Sequence, residues 1–299
     1  MKTIKLFLLS TLLGFSTLVS AQDYAFKVLA NKGNNEVKSG AAWQPLKTGA
    51  TLRSDDEVKL GNNGYVGLVH QSGKPLEVKE TGVYKVSVLE GKLGAASSVL
   101  NKYTDFILSS NASDGKKTNL TATGAVHRAI TNNGPIRVQL PEKDHSGIFN
   151  KTAIINWAAD DIAGPYVVTL RNMFEDVLTQ VETEERSVQI DLSEQKYANE
   201  TAILVEVSSK ANPKVVSQQH LIKKLSPAEL DKVAKAVSEI RQEVTDKTAM
   251  DQLILASFYE QNSLLIDAIY AYEQAVKLAP EVTDFRQSYD DFLVRNNLK

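Results

Sequence analysis

Cysteine is absent from the 299 residues. That absence excludes disulfide scaffolds, thiolate-bound zinc, iron–sulfur clusters, cysteine nucleophiles and a lipid-bearing N-terminal cysteine. Histidine is scarce. His70, His127, His145 and His220 stand far apart, no His-Glu-x-x-His pair occurs, and no metal centre is expected. An excess of one charge is also lacking. With 34 basic and 36 acidic residues the net charge is −2, and Lys116-Lys117 and Lys223-Lys224 are isolated pairs. Such a chain has no field to attract nucleic acid.

The signatures of common reaction sites are missing too. Gly61-x-x-Gly64-x-x-Gly67 is a turn and strand without the lysine and following helix of a phosphate loop. No Gly-x-Ser-x-Gly elbow appears. The acidic groups Asp55-Asp56-Glu57, Asp160-Asp161, Glu182-x-Glu184-Glu185 and Asp290-Asp291 lie beside turns or on solvated faces. None has calcium-loop spacing, so they read as surface charge. The expectation is a protein without catalytic residues, cofactor or bound metal.

Long apolar runs are confined to the N-terminus. Lys2 and Lys5 precede an apolar stretch from Leu6 to Leu18, and Val19-Ser20-Ala21 supplies the small residues of a cleavage site before Gln22. Residues 1–21 therefore read as an export signal, and no later run approaches the ~18 apolar residues of a membrane span. An exported chain without cysteine must hold together by burial alone. This favours a periplasmic location, with secretion or surface association as the alternative.

Residues 22–94 read as an all-β unit. Tyr24–Leu29, Glu57–Leu60, Tyr65–His70, Leu76–Lys79 and the alternating Gly82–Val88 are short strands separated by Gly, Asn and Asp turns. Trp43, the Leu46-Lys47-Thr48-Gly49 step, Leu52-Arg53-Ser54-Asp55 and the strand beginning at Glu57 together resemble the opening of FecR-like domains. Gly64–Val69 followed by Ser72-Gly73-Lys74 is similar to that family's next hairpin. The resemblance implies a periplasmic sensing or protein-contact domain.

Residues 95–133 read as a helix and linker. Val99, Leu100, Tyr103, Phe106 and Ile107 fall at helical spacing, which predicts a short amphipathic helix packed on a β unit. Residues 134–223 read as a β-sandwich, with strands at Ile136–Leu140, Ala153–Trp157, Tyr166–Arg171, Val177–Val181, Ser187–Leu192, Ala202–Ser208 and Val215–Ile222. The progression from Trp157 to Tyr166 resembles immunoglobulin and fibronectin type III folds. Trp157 reads as the plug between two sheets, and a carbohydrate-stacking platform is the alternative.

Residues 224–299 read as helical. Ser226-Pro227-Ala228-Glu229 is a capping box, and its helix carries Leu230, Val233, Val237, Ile240 and Val244 on one face. Farther on, Leu255, Ala256, Tyr259, Ala268, Tyr272, Ala275 and Pro280 fall at the offsets of a tetratricopeptide repeat, which they resemble. Close helix approach needs the small residues, the tyrosines fill the space between, and Pro280 stops the second helix. One repeat cannot bury both its faces, so Leu225–Thr245 and Thr283–Asn296 are expected as its neighbours.

The fold class expected is therefore multi-domain, two all-β units followed by an all-α segment. The function expected is a non-catalytic envelope protein that docks another envelope protein, as scaffold or sensor. Its contacts would lie in sandwich-end loops and on the exposed face of helices Ala249–Gln261 and Leu264–Leu278. The alternative is a glycan- or small-ligand-binding protein using Trp43, Tyr65 or Trp157 as stacking groups.

Overall fold

The computed structural model describes residues 24–93, 100–111, 134–141 and 145–299. The export-signal residues 1–21, Val99, His127 and most of the linker lie outside the described residues. β-Sheets occupy the N-terminal part and helices the C-terminal part. Among the described residues no helix is long and apolar enough to cross a membrane.

The first β unit consists of two antiparallel four-stranded sheets. One contains β1 (Phe26–Lys32), β4 (Thr51–Leu52), β6 (Tyr65–His70) and β7 (Pro75–Val78), in the order β4-β1-β6-β7. The other contains β2 (Glu36–Ser39), β3 (Ala42–Pro45), β5 (Glu57–Leu60) and β8 (Gly82–Lys85), in the order β3-β2-β5-β8. Phe26, Val28, Leu52, Val58, Leu60, Val66 and Leu68 fill the space between them. The alternating stretch expected to be one strand to Val88 breaks after Lys85 into a short helix, α1 (Val86–Glu90). Val86 and Leu89 are buried while Val83 and Val88 are exposed, a spacing of three that suits a helical turn. The turn is fastened by Val86 N–H to Asp56 O and Ser87 N–H to Ser54 O.

The second β unit has a five-stranded sheet and a three-stranded sheet around one core. The larger sheet holds β10 (Gly147–Ile148), β16 (His220–Lys224), β15 (Ala202–Ser209), β12 (Tyr166–Arg171) and β13 (Val177–Thr183), in that order. The smaller is β14 (Ser187–Asp191), β11 (Thr152–Ala158) and β9 (Arg137–Val138). The strand expected over Ile136–Leu140 is thus reduced to two paired residues. Of the strand expected from Val215, the first part makes only an isolated bridge from Val216 to Ser208.

Five further helices are α2 (Asn101–Asn111), α3 (Pro227–Ile240), α4 (Ala249–Gln261), α5 (Leu265–Leu278) and α6 (Thr283–Arg295). The Ser226–Glu229 capping box forms as expected at α3. Two expectations about their surroundings change. Leu225–Thr245 does not flank the α4–α5 pair along its length: Leu230 is 42% exposed, and α3 docks chiefly through Val237 and Ile240, with Val244 just beyond. α2 packs mainly on α4 and α6 rather than on a β unit. Tyr103 meets Phe258 edge-on at 5.5 Å, and the Ser257 hydroxyl donates to Tyr103 O at 3.1 Å. α2 still approaches the first β unit, where Asp105 stands 3.7 Å from the Lys27 ammonium. Gly73, at φ +86°, leaves room for it, since a Cβ there would stand 2.7 Å from the Leu100 Cβ.

The α4–α5 hairpin lies between the two β units. β6 turns Val66 and Leu68 into the first core and Tyr65 and Val69 toward the helices. β11 turns Ala153, Ile155 and Trp157 into the second core and Ile154 toward the helices, while Ile266 of α5 enters the second core. Strands apolar on both faces need a layer on each side. The C-terminal helices provide it, so the helical segment is shared core and not a separate attachment.

Candidate functional site

The seven repeat-type positions come together at the α4–α5 pair. Leu255, Ala256, Tyr259, Ala268, Tyr272 and Ala275 are buried, and Pro280 follows the end of α5 at an exposed position. Tyr272 stacks on Tyr289 at 5.7 Å and lies 4.8 Å from Phe292, so α6 covers the second helix. The docking face expected on α4 does not exist, because every residue from Ala249 to Tyr259 is buried. α5 is likewise buried over most of its length, from Leu265 to Ile269 and again at Ala271, Tyr272, Ala275 and Val276. Even the polar residues of α4, Asp251, Gln252 and Ser257, are buried and hydrogen-bonded within the protein. These residues pack the protein and present little to a partner.

The three aromatic candidates are scattered. Trp157 is 3% exposed in the second core, edge-on to Tyr166 at 5.4 Å, which is the plug geometry. Tyr65 is 5% exposed and edge-on to Phe285 at 5.9 Å. Its hydroxyl donates to Glu77 at 2.7 Å, and burial beside that carboxylate pushes the phenol pKa well up. Trp43 is half-buried on the β2–β3 hairpin, with the ammonium groups of Lys38 and Lys59 at 5.9 and 5.7 Å from its ring. Trp43 alone of the three keeps an accessible ring.

Contacts are expected in sandwich-end loops, and one such loop stands out. Between β12 and β13, Phe174 is 86% exposed, flanked by Met173 and Val177 at 53% and 51%. The turn beneath them is tightly built. Asn172 Oδ1 accepts the N–H groups of Phe174 and Asp176, both at 2.9 Å, and Asn172 Nδ2 donates to Asp176 Oδ2 at 3.0 Å. Glu175 takes φ +69°, with its carbonyl accepting from Arg171 at 3.1 Å and its carboxylate from Gln219 at 3.3 Å. An Asx turn of this kind fixes the backbone while leaving the neighbouring side chains free to reach outward. Its sequence signal is the string Asn172-Met173-Phe174-Glu175-Asp176, in which large apolar residues occupy a turn that normally carries polar ones.

The chain matches no protein-family model and no curated protein.

Two grooves are found among the described residues. One of about 460 Å³ lies where β6 and β7 meet the α5–α6 turn, with Lys32, Lys79, Leu278 and Val282 around the edge of Tyr65. Lys32 and Lys79 are already paired there, with Glu281 at 2.9 Å and Glu77 at 2.6 Å. The other, about 360 Å³, lies between the loop before β11, the end of α3 and the α4–α5 pair. Below it, Asp267 is fully buried and accepts the N–H groups of Phe149 and Asn150 at 2.8 and 2.7 Å. Burial raises its carboxyl pKa to about 6 against the opposing pull of those donors. Among the described residues no group of three His, Cys, Asp or Glu is placed to hold a metal ion.

Proposed function

We propose that the protein is an exported, non-catalytic envelope component that docks another envelope protein, as scaffold or sensor. The β12–β13 tip would be its anchor. The observation that carries this reading is Phe174, an 86% exposed phenylalanine held on a hydrogen-bonded turn. Burying a phenylalanine side chain is worth about 1.5–3 kcal/mol, a gain left unused in the free protein and open to a partner. A rigid turn adds little ordering cost on binding.

The FecR-like, immunoglobulin-like and tetratricopeptide-type assignments belong to the same proposal. The immunoglobulin-like assignment draws support from Tyr166, whose hydroxyl donates to Ile162 O at 2.5 Å beside Trp157, in the manner of a tyrosine corner. The repeat assignment draws support from the shared burial of Ala256, Ala268 and Ala275 with Tyr259 and Tyr272.

A photo-crosslinking amino acid at position 174 of the full chain, expressed in its own cells, tests the anchor. The expected result is one discrete adduct that disappears with Met173→Ser. A yield no higher than from the same group at exposed Lys214 overturns the reading.

A further inference from the structure

β13 closes one side of the five-stranded sheet, and its outer edge pairs with no other strand. Asn172 N–H donates to Asp176 O at 3.0 Å across the hairpin, whereas Pro165 O accepts from Lys210 N–H, just past β15, at 3.0 Å. Backbone groups alternate in direction along a strand, so Tyr166, Val168 and Leu170 of β12 bond their register partners Thr183, Val181 and Thr179. The residues between, Gln180 and Glu182, turn both N–H and C=O away from the sheet. Among the described residues nothing bonds these four groups. Lys196 and Lys210 bond the strand through the Thr179 and Glu182 side chains, not through its backbone.

Sheet edges are ordinarily kept short or interrupted, because such a row of groups recruits another strand. The other seven edge strands among the described residues have two to five residues each, and two of them contain Pro45 and Pro75. β13 has seven residues and neither proline nor glycine. Its bulge, at Leu178, is confined to its start. Leu178 and Val181, with Val188 on the β14 edge of the smaller sheet, are only half-buried against the second core, so apolar area there is left to cover. The edge begins at Val177, beside Met173 and Phe174, and is continuous with the exposed tip.

Charge selects the occupant. Residues 175–185 carry Glu175, Asp176, Glu182, Glu184 and Glu185 and no basic residue. Arg171 reaches Glu175 at 4.0 Å and Lys210 reaches Glu182 at 2.5 Å, while Asp176, Glu184 and Glu185 make no ion pair among the described residues. Arg186 follows them, with its guanidinium donating to the Tyr166 hydroxyl at 3.3 Å. Two copies paired edge to edge about Gln180 would set Glu184 and Glu185 of one against Asp176 and Glu175 of the other, which like-charge repulsion opposes. A strand with basic flanks meets the same rim favourably.

We infer that β13 accepts an added strand from the docking partner, an extended segment with alternating apolar residues and Lys or Arg on its flanks. Gln180 and Glu182 supply the main-chain bonds, and Phe174 lies against the same segment. The inference rests on the docking role given to the β12–β13 tip and adds how the partner is held.

The full chain is titrated into a fluorophore-labelled peptide amide, Lys-Lys-Val-Thr-Val-Thr-Val-Lys-Lys, and followed by anisotropy. This peptide is expected to bind about tenfold or more tightly than a Glu-flanked counterpart, and than one N-methylated throughout its Val-Thr core, which has no core donors. Gln180→Pro deletes an outward donor without touching the β12 ladder, so it should weaken the peptide about tenfold while keeping the urea midpoint. The N-methyl comparison decides the matter even where that variant fails to fold. Equal binding of the N-methylated peptide, preference for the Glu-flanked one, no binding at millimolar concentration, or unchanged affinity in folded Gln180→Pro overturns the inference. So does a dimer of the full chain that Gln180→Pro dissociates, since a second copy is then the occupant. The photo-crosslink at position 174, repeated in Gln180→Pro, separates the two readings. A cellular adduct that persists there keeps the docking tip and overturns strand addition; peptide binding with no cellular adduct supports the edge and overturns the Phe174 anchor.

Discussion

Asp267 of α5 accepts the backbone N–H of Asn150 at 2.7 Å across 117 residues of sequence, joining the helical layer to the second β unit at a fully buried point. With its twin bond to Phe149, it caps a loop that would otherwise carry two unmatched donors. The helical segment is thus tied into the β structure by backbone groups as well as by apolar contact.

The ionisation of Asp267 sets a pH dependence. Its folded-state pKa is raised to about 6 from an ordinary 3.8, so the folded chain holds this proton more tightly than the unfolded chain. Stability from this group is complete below the unfolded value and is lost as pH rises through about 6, on the order of 3 kcal/mol. Asp267→Asn removes the titration. Urea midpoints should show the wild type losing its advantage over this variant between pH 4 and pH 7, by about that amount.

Gly67 measures how closely α4 approaches the first β unit. A Cβ at this position would stand 2.6 Å from the Met250 Sδ and 3.3 Å from the Ala30 Cβ. Gly67→Ala should cost about 1–3 kcal/mol by overpacking. Shortening the opposing side chain should relieve it, so a double-mutant cycle with Met250→Ala should give a favourable coupling energy above about 0.5 kcal/mol.

Glu77 links the same two layers through charge. One carboxylate oxygen accepts from Tyr65 at 2.7 Å and from the Met250 N–H in the first turn of α4 at 3.0 Å, and the other pairs with Lys79. Glu77→Ala leaves a helix-terminal donor and a buried phenol without an acceptor. The expected loss is about 2–4 kcal/mol in thermal or urea unfolding, with faster amide exchange at the start of α4.

Phe174 should behave in the opposite way. Its side chain contributes little packing, so Phe174→Ser should change stability by less than about 0.5 kcal/mol while abolishing the docking contact. A matched loss of stability in calorimetry would assign Phe174 to the fold instead.

The strands were readable because turn residues bracket short apolar runs, and β5, β6 and β12 keep the limits their sequences suggest. The helices α4 and α5 were readable from their small-residue offsets. What surrounds them was less so. Asp251, Gln252 and Ser257 give α4 the look of a polar face, yet each is buried and partnered: Asp251 with Thr245, Gln252 with Asp246 O and Ser257 with Tyr103 O. Local periodicity does not reveal partners that lie far away in sequence. The double-sided apolar pattern of Tyr65–Val69 and Ile154–Trp157 was the available sign that a further layer must cover those strands. The tip at Phe174 was foreseen only as one sandwich-end loop among several, because exposure is a tertiary property.

The C-terminal helices are core common to both β units, so the protein is expected to unfold as one. The two tryptophans report on one unit each, Trp43 on the first and Trp157 on the second. The direct measurement is urea unfolding of the full chain labelled with 5-fluorotryptophan, following both fluorine resonances in one sample. Coincident midpoints and slopes for the two resonances are predicted. Two separate transitions, with Trp157 or Trp43 reporting an intact unit after the other has melted, would contradict it.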